Sequence, residues 1–204
     1  MTAPLTLVST APVAEAPPGV RPSFEQVFAE CAPFVWRALR RLGVREVDVE
    51  DVSQEVFLVV HRRLGDFEAR AQVTTWLFGI VLRVAQSYRR SAMRRRARLS
   101  DTPASDIEQA PVSTAESPIE LLERREAQTL LHRLLDELDD DKRAMLVCVE
   151  LEQMTVPEAA ESLGLNLNTA YGRLRAARAT FNEAVARTQK QMAERAERAG
   201  GEFQ

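Results

Sequence analysis

The chain has 204 residues, 45% of them hydrophobic and 28% charged, with a formal net charge of −3. That length accommodates one or two small domains with ordinary cores. No apolar run approaches the roughly 20 residues that span a bilayer, and residues 1–22 lack the basic flank and unbroken apolar stretch of a secretory signal; a cytoplasmic protein with no membrane insertion is expected.

Residues 1–22 are rich in Ala, Pro and Thr. They offer too little apolar surface to offset the entropy of ordering, so a disordered tail is predicted. From Phe24 the apolar residues fall on one helical stripe: Val27, Phe28, Cys31, Phe34, Val35, Ala38, Leu39 and Leu42. Ser23 is a candidate cap and Gly43 a stop. Pro33 lies inside the run and is expected to kink or split it. A second helix is predicted over about 49–64, with Asp48 as its cap and Val49, Val52, Val56, Val59 and Val60 facing inward. Residues 65–74 read as a loop. Thr74 or Thr75 then opens a third helix with Trp76, Leu77, Ile80, Val81, Val84 and Ala85 toward a core.

Residues 99–118 hold Pro103, Pro111 and Pro118 among Ser, Thr, Ala and acids, the composition of a linker. Beyond it, a leucine stripe from Leu121 to Leu138 predicts a helix ending near Asp139, followed by a short helix from Asp141 to Leu151. Thr155-Val156-Pro157-Glu158 has the form of a capping box with proline in the first turn, and its helix ends at Leu163-Gly164. Asn166 or Asn168 starts a longer helix with Ala170, Leu174, Ala177, Phe181 and Val185 on one stripe. No segment alternates with a two-residue period. The predicted fold is therefore all-α: two small helical domains, 23–98 and 120–186, joined by a flexible acidic linker at 99–119 and followed by a charged tail at 187–204.

Charge is segregated along the chain. Arg83 to Arg98 carries seven arginines and no acid, Ser100 to Glu120 five acids and no base, and Gly164 to Asn182 only Arg173, Arg175 and Arg178. Two basic segments flanking an acidic one suggest two contacts with one polyanion. Cys31, Cys148, His61 and His132 stand alone, without metal-ligand spacing, and the thiols lie on apolar faces. Buried core cysteines, no metal and no cofactor are expected.

Residues 155–178 have the pattern of a helix-turn-helix. The small pair Ala159-Ala160 allows close crossing, Gly164 relieves the turn, and the second helix presents Asn168, Thr169, Tyr171, Arg173, Arg175 and Arg178 away from its apolar stripe. Such a face suits base edges at its N-terminal end and phosphates beyond it. In the first domain, Trp76 and Tyr88 lead into Arg89, Arg90 and Arg94 to Arg96. Cations supply sequence-independent affinity for phosphates, and aromatic faces can receive unstacked bases. The plainer alternatives are a solvated basic tail and a Trp76 that belongs to the core.

The stretch Asp48-Val-Glu-Asp-Val-Ser-Gln-Glu-Val-Phe-Leu58 is similar to the Asp-x-x-Gln-Glu-x-Phe segment of the sigma-70 family, and Phe67…Trp76-Leu-Phe-Gly-Ile80 resembles the approach to that family's promoter-melting helix. Glu158-Ala-Ala160, Leu163-Gly164 and Thr169 to Arg178 resemble its second helix-turn-helix. The order of these matches identifies the chain with the extracytoplasmic-function (ECF) group, in which a sigma2 and a sigma4 domain are joined by a variable linker. It departs from the family at Arg83 and Ser87, where Asn and Asp are common, at Leu138-Asp139, where Leu-Pro is common, and at Asn168, Ala170, Tyr171 and Gly172.

The resemblance implies a sigma factor that binds core RNA polymerase through Asp51, Gln54, Glu55 and Phe57. It implies duplex contact at the −35 element through Asn168, Thr169, Tyr171, Arg173, Arg175 and Arg178. Capture of the melted −10 strand falls to Phe67, Trp76, Arg83, Gln86, Ser87, Tyr88, Arg89 and Arg90. Melting costs about 1.4 kcal/mol per base-pair step, and stacking a captured base returns about 1–3 kcal/mol. A few captured bases therefore offset several steps. The implied partners are core polymerase and promoter DNA, with an anti-sigma factor as a candidate third. The chain is not expected to be an enzyme, since it holds no catalytic carboxylate pair, Ser-His-Asp set or phosphate-binding glycine loop. A stand-alone helix-turn-helix regulator explains residues 155–178 but leaves the 48–58 face unused. A pure protein-interaction module predicts no matched basic faces.

Overall fold

The computed structural model describes residues 22–67, 72–98 and 118–201. The tail over 1–21 and the acidic segment over 99–117 lie outside the described residues. Those described form seven α-helices and no strand.

Helix α1 spans Phe24–Arg41. The Ser23 hydroxyl accepts from the Gln26 N–H at 3.3 Å, and the Gln26 side chain accepts from the Ser23 N–H at 2.8 Å. Two donors left open by the first turn are thereby satisfied. Pro33 does not divide the helix. The missing N–H costs one backbone bond, but Cys31, Phe34 and Val35 around it are buried, and that packing outweighs the local preference. Gly43 turns the chain out of the helix at φ +86, and the Val44 N–H bonds the Leu39 carbonyl at 3.0 Å.

Helix α2 covers Val49–Arg63 and α3 Val73–Arg98, with a single 3-10 turn at Leu64–Asp66 after α2. Asp48 makes no capping bond to α2; its carboxylate is taken by Arg45 and Tyr88 instead. Helix α3 begins ahead of the two threonines expected to cap it, and the Thr75 N–H already bonds the Gln72 carbonyl at 3.0 Å.

In the second half, α4 runs Pro118–Asp136 and α5 Asp140–Leu146, the latter opening into a wide π turn at Val147–Leu151. Asp139 caps α5, accepting from the Lys142 N–H at 2.8 Å. Helix α6 is Val156–Leu163, with the reciprocal Thr155–Glu158 cap in place and Gly164 left-handed at φ +64. Helix α7 is Leu167–Gly201, and the Asn166 side chain accepts from the Thr169 N–H at 2.8 Å to start it. It continues unbroken past position 186 because Ala184 is buried and Arg187 pairs with Glu137 just beyond α4.

Helices α1, α2 and α3 pack on one another, as do α5, α6 and α7, yet the buried residues form one continuous cluster from Val27 to Ala177. Fully buried side chains such as Leu39, Val56, Phe78, Leu135 and Met145 are each worth roughly 1.5–3 kcal/mol in removed apolar surface. The seam between the halves is α6 lying on α3. The Ser162 hydroxyl donates to the Thr75 carbonyl at 3.4 Å. One turn on, the Gly79 position faces the Ser162 carbonyl, so small residues admit the neighbouring helix. Cys31 and Cys148 are buried and free; burial pushes the Cys31 thiol up to about 11 and raises Cys148 further.

Candidate nucleic-acid interface

The helix-turn-helix is built by α6, Gly164 and α7. Ala159, Ala160, Ala170, Leu174 and Ala177 are buried where the two helices meet, and the small side chains let the backbones approach. At Gly164 an added Cβ would meet nothing, so glycine is needed there for its left-handed conformation alone. The outer face of α7 presents Asn168, Thr169, Tyr171, Arg175 and Arg178 as exposed residues. They line an open groove with Val156, Gly172 and Leu174. Five of the six residues expected to face DNA thus line one groove along α7, while Arg173 lies on another side of the helix, toward Asp139, Asp140 and Asp141. Two of the six are ion-paired: Arg173 with Asp141 at 3.0 Å, and Arg178 with Glu150 at 2.6 Å. Arg175 forms no ion pair among the described residues.

Along α3 the expected strand-contacting residues divide into two groups. Arg83, Ser87 and Arg90 are exposed and Gln86 half-buried, while Arg94 and Arg95 extend the basic face into solvent. Phe67 is buried against Trp76, with ring centroids 5.4 Å apart, and Trp76 keeps only part of its surface open. Tyr88 donates its hydroxyl hydrogen to Asp48 and accepts from Arg45 Nε at 3.3 Å. Burial works to raise the Asp48 carboxyl, but the bonds from Tyr88 and Arg45 outweigh it and hold the group below its usual range. Burial and the bond to Asp48 raise the Tyr88 phenol. Arg89 pairs with Asp140 of α5 at 2.8 Å. The partners Arg45, Asp48 and Asp140 carry no sequence signal, since no spacing rule links residues so far apart.

On α2, Asp51, Gln54 and Glu55 are exposed on one side while Val52, Val56 and Val60 are buried on the other. Phe57 is also buried, edge-on to Phe24 at 6.5 Å and Phe28 at 4.7 Å. It supports the acidic face from beneath. Sequence periodicity assigned Phe28 to the core, yet it stands about half exposed, as do Leu58 and Trp36. The Trp36 indole is anchored by a 3.1 Å bond to the Ser53 hydroxyl. Among the described residues, no group of three His, Cys, Asp or Glu side chains could hold a metal, and no helix is long and apolar enough to cross a membrane.

Two family models match the chain: Sigma-70 region 2 over residues 27–95, which is α1 to α3, and Sigma-70, region 4 over residues 128–181, which includes the helix-turn-helix. Among curated proteins, the chain is 29% identical over 171 residues to RNA polymerase sigma factor CnrH of Cupriavidus metallidurans, covering 83% of this chain and 90% of that protein. It is 31% identical over 144 residues to sigma factor NccH of Alcaligenes xylosoxydans, covering 70% and 76%. It is 28% identical over 147 residues to the ECF sigma-E factor of Escherichia coli, covering 68% and 74%. Among solved structures, CnrH in complex with the cytosolic domain of CnrY superimposes with a TM-score of 0.56 at 27% identity, over 82% of this chain and 90% of that one. The sigma factor RpoE of Bartonella quintana, solved with the anti-sigma factor NepR, shares the fold with a TM-score of 0.63 at 18% identity, over 80% and 96%. With both regions matched in order on the helices that carry the two basic faces, the chain belongs to the sigma-70 family, as an RNA polymerase sigma factor of the ECF group.

Proposed function

We propose how this sigma factor divides its work among its helices. Helix α7 enters the major groove of the −35 element, with Asn168, Thr169, Tyr171 and Arg173 toward base edges and Arg175 and Arg178 toward phosphates. Helix α3 takes the opened −10 strand: Arg83, Gln86, Ser87, Arg89 and Arg90 line its path, and Trp76 and Tyr88 offer the ring faces. Phe67, packed beneath Trp76, holds the indole in place. Asp51, Gln54 and Glu55 of α2 meet the polymerase, with Phe57 keeping that helix face in register.

The observation that carries this reading is the α7 face. Five of its six assigned residues are exposed, and no acid lies between Gly164 and Asn182. The chain supplies positioning and strand capture in the cytoplasm, while bond formation belongs to the polymerase. Its likeness to CnrH, solved with the cytosolic domain of CnrY, supports an anti-sigma factor as a further partner.

Run-off transcription with purified core polymerase and a promoter pool tests the reading. Selective transcripts are expected, and alanine at Arg173 and Arg175 should abolish them. Binding to DNA without any association with core polymerase would instead favour a stand-alone regulator.

A further inference from the structure

The outer face of α7 has a centre that the chain's own packing does not use. Gly172 lies about 200° around the helix from both Ala170 and Leu174, which are buried, so it stands in the middle of that face. Glycine inside a helix is less favourable than alanine, and nothing within the described residues calls for it here: a Cβ at Gly172 would meet no atom. Gly172 lines the grooves on both sides of α7, as does Thr169. A position without a Cβ at the crest of a helix marks where an outside surface comes close to its backbone.

Two side chains beside this crest have polar ends that the fold leaves unspent. Asn166 gives its amide oxygen to the Thr169 N–H, whereas Asn168 is exposed and has no hydrogen-bond partner among the described residues. Tyr171 is 54% exposed, its hydroxyl likewise unpartnered among them, and it shares its groove with the half-buried Val156. Arg173 and Arg178, by contrast, are held by Asp141 and Glu150. Contacts to phosphate carry no sequence information, but an amide and an apolar ring do discriminate. In the major groove, adenine sets an N7 acceptor beside an N6 donor, which a side-chain amide matches with two hydrogen bonds; thymine alone carries a C5 methyl, which an apolar surface covers. Residues three apart on α7 differ by about 4.5 Å of rise, against about 3.4 Å per base pair. The two side chains therefore fall on neighbouring base pairs.

We propose that Asn168 and Tyr171 are the specificity pair of the −35 contact. Asn168 Oδ1 accepts from the N6 amino group of an adenine while its Nδ2 donates to N7. The Tyr171 ring, with Val156 beside it, covers the C5 methyl of a thymine within about two base pairs, and Gly172 leaves the α7 backbone clear for the duplex. These are positions at which the chain departs from its family, so the pair gives it a −35 word of its own. The inference rests on the assignment of α7 to the −35 duplex.

The test is selection by the full-length chain, with and without core polymerase, from duplexes carrying a randomised window, followed by affinity measurements on the enriched word. An adenine and a thymine within about two base pairs of each other are expected in it. Asn168→Ala should lose the preference for adenine at that one position and bind about tenfold more weakly. Replacing this adenine by 7-deazaadenine should weaken the wild type but not Asn168→Ala. Replacing the thymine by deoxyuridine, which removes only the methyl, should weaken the wild type and Tyr171→Phe several-fold and leave Tyr171→Ala unchanged. Leucine is the better helix former, so Gly172→Leu should melt no lower than the wild type yet lose duplex affinity.

A word without adenine, or an Asn168→Ala variant that weakens every sequence equally, would overturn the amide contact. Equal affinity of the wild type for thymine and deoxyuridine would overturn the ring contact, and wild-type affinity in Gly172→Leu would overturn the close approach. No enriched word in either arm would overturn the pair as base readers. Enrichment of the same word with and without polymerase would instead count against the sigma reading, and the base preferences of the two variants would still decide the pair.

Discussion

Tyr88, two-thirds of the way along α3, donates its hydroxyl hydrogen to Asp48, the residue that precedes α2. With Arg45 bonding the same carboxylate at 2.8 Å, the three side chains brace the entrance of α2 against α3. The phenol is thus committed to structure, and only its ring remains for a base. Tyr88→Phe keeps the ring and loses both hydrogen bonds of the hydroxyl, to Asp48 and from Arg45, at a cost of about 1–3 kcal/mol in urea unfolding. Its affinity for single-stranded DNA should stay near that of the wild type. Tyr88→Ala should weaken that affinity by the stacking term as well, about 1–3 kcal/mol. Equal DNA affinity in both variants would remove Tyr88 from the strand path.

The same brace predicts a response to acid. Asp48 is held below the usual carboxylate range in the folded protein despite its burial. Asp139 is also held down, first by the Lys142 N–H and then by the Lys142 side chain. A carboxyl with a depressed folded value binds protons more readily when unfolded. Its stabilisation is complete above the ordinary value of about 3.9 and is lost as pH falls through the folded value. The stability difference between the wild type and Asp48→Asn should therefore be largest near neutral pH and shrink as pH drops below about 4. Urea titrations at a series of pH values measure it, and a gap that widens toward acid would contradict the assignment.

The turn of the helix-turn-helix yields two separable costs. Gly164→Ala introduces a Cβ with nothing to strike, so its penalty is purely conformational, about 1–2 kcal/mol for a left-handed residue. Thr155→Ala removes the hydroxyl that accepts from the Glu158 N–H and should cost about 1 kcal/mol. The two sites lie at opposite ends of α6, so the double variant should lose nearly the sum. Differential scanning calorimetry of the three variants checks this.

Local chemistry was readable where one stretch of chain decides the outcome. Ser23, Asn166, the Thr155–Glu158 box and Gly164 all act where spacing placed them, and the inward stripe of α2 is buried as its period required. Pro33 misled because an intact helix there depends on burial of Cys31, Phe34 and Val35, which propensity does not register. Asp48 misled because its carboxylate has a better offer than the helix terminus: a phenol and a guanidinium brought in by the tertiary fold. The joining of the two halves had no signal at all. Arg41 and Glu152, or Arg89 and Asp140, meet only after α6 has settled on α3, and each looks like an ordinary surface charge in the sequence. Composition foretold two basic faces but not that acids of α5 would already hold part of each.

That occupancy makes the arginines of α7 unequal toward DNA. Arg175 has no ion pair to break among the described residues, so Arg175→Ala should weaken binding to a −35 duplex and reduce the slope of log affinity against log salt by about 0.9. Arg178 must first release Glu150 and Arg173 must release Asp141, so part of their phosphate attraction is already spent inside the protein. Arg178→Ala should therefore cost less than Arg175→Ala. Asp141→Asn should tighten duplex binding several-fold, because Arg173 then reaches DNA without losing a partner. Fluorescence anisotropy across a salt series, with a promoter identified by run-off transcription, gives all three affinities. If Asp141→Asn leaves affinity unchanged while Arg173→Ala destroys it, Asp141 is a bystander, and Arg173 turns to the bases at no cost to the fold.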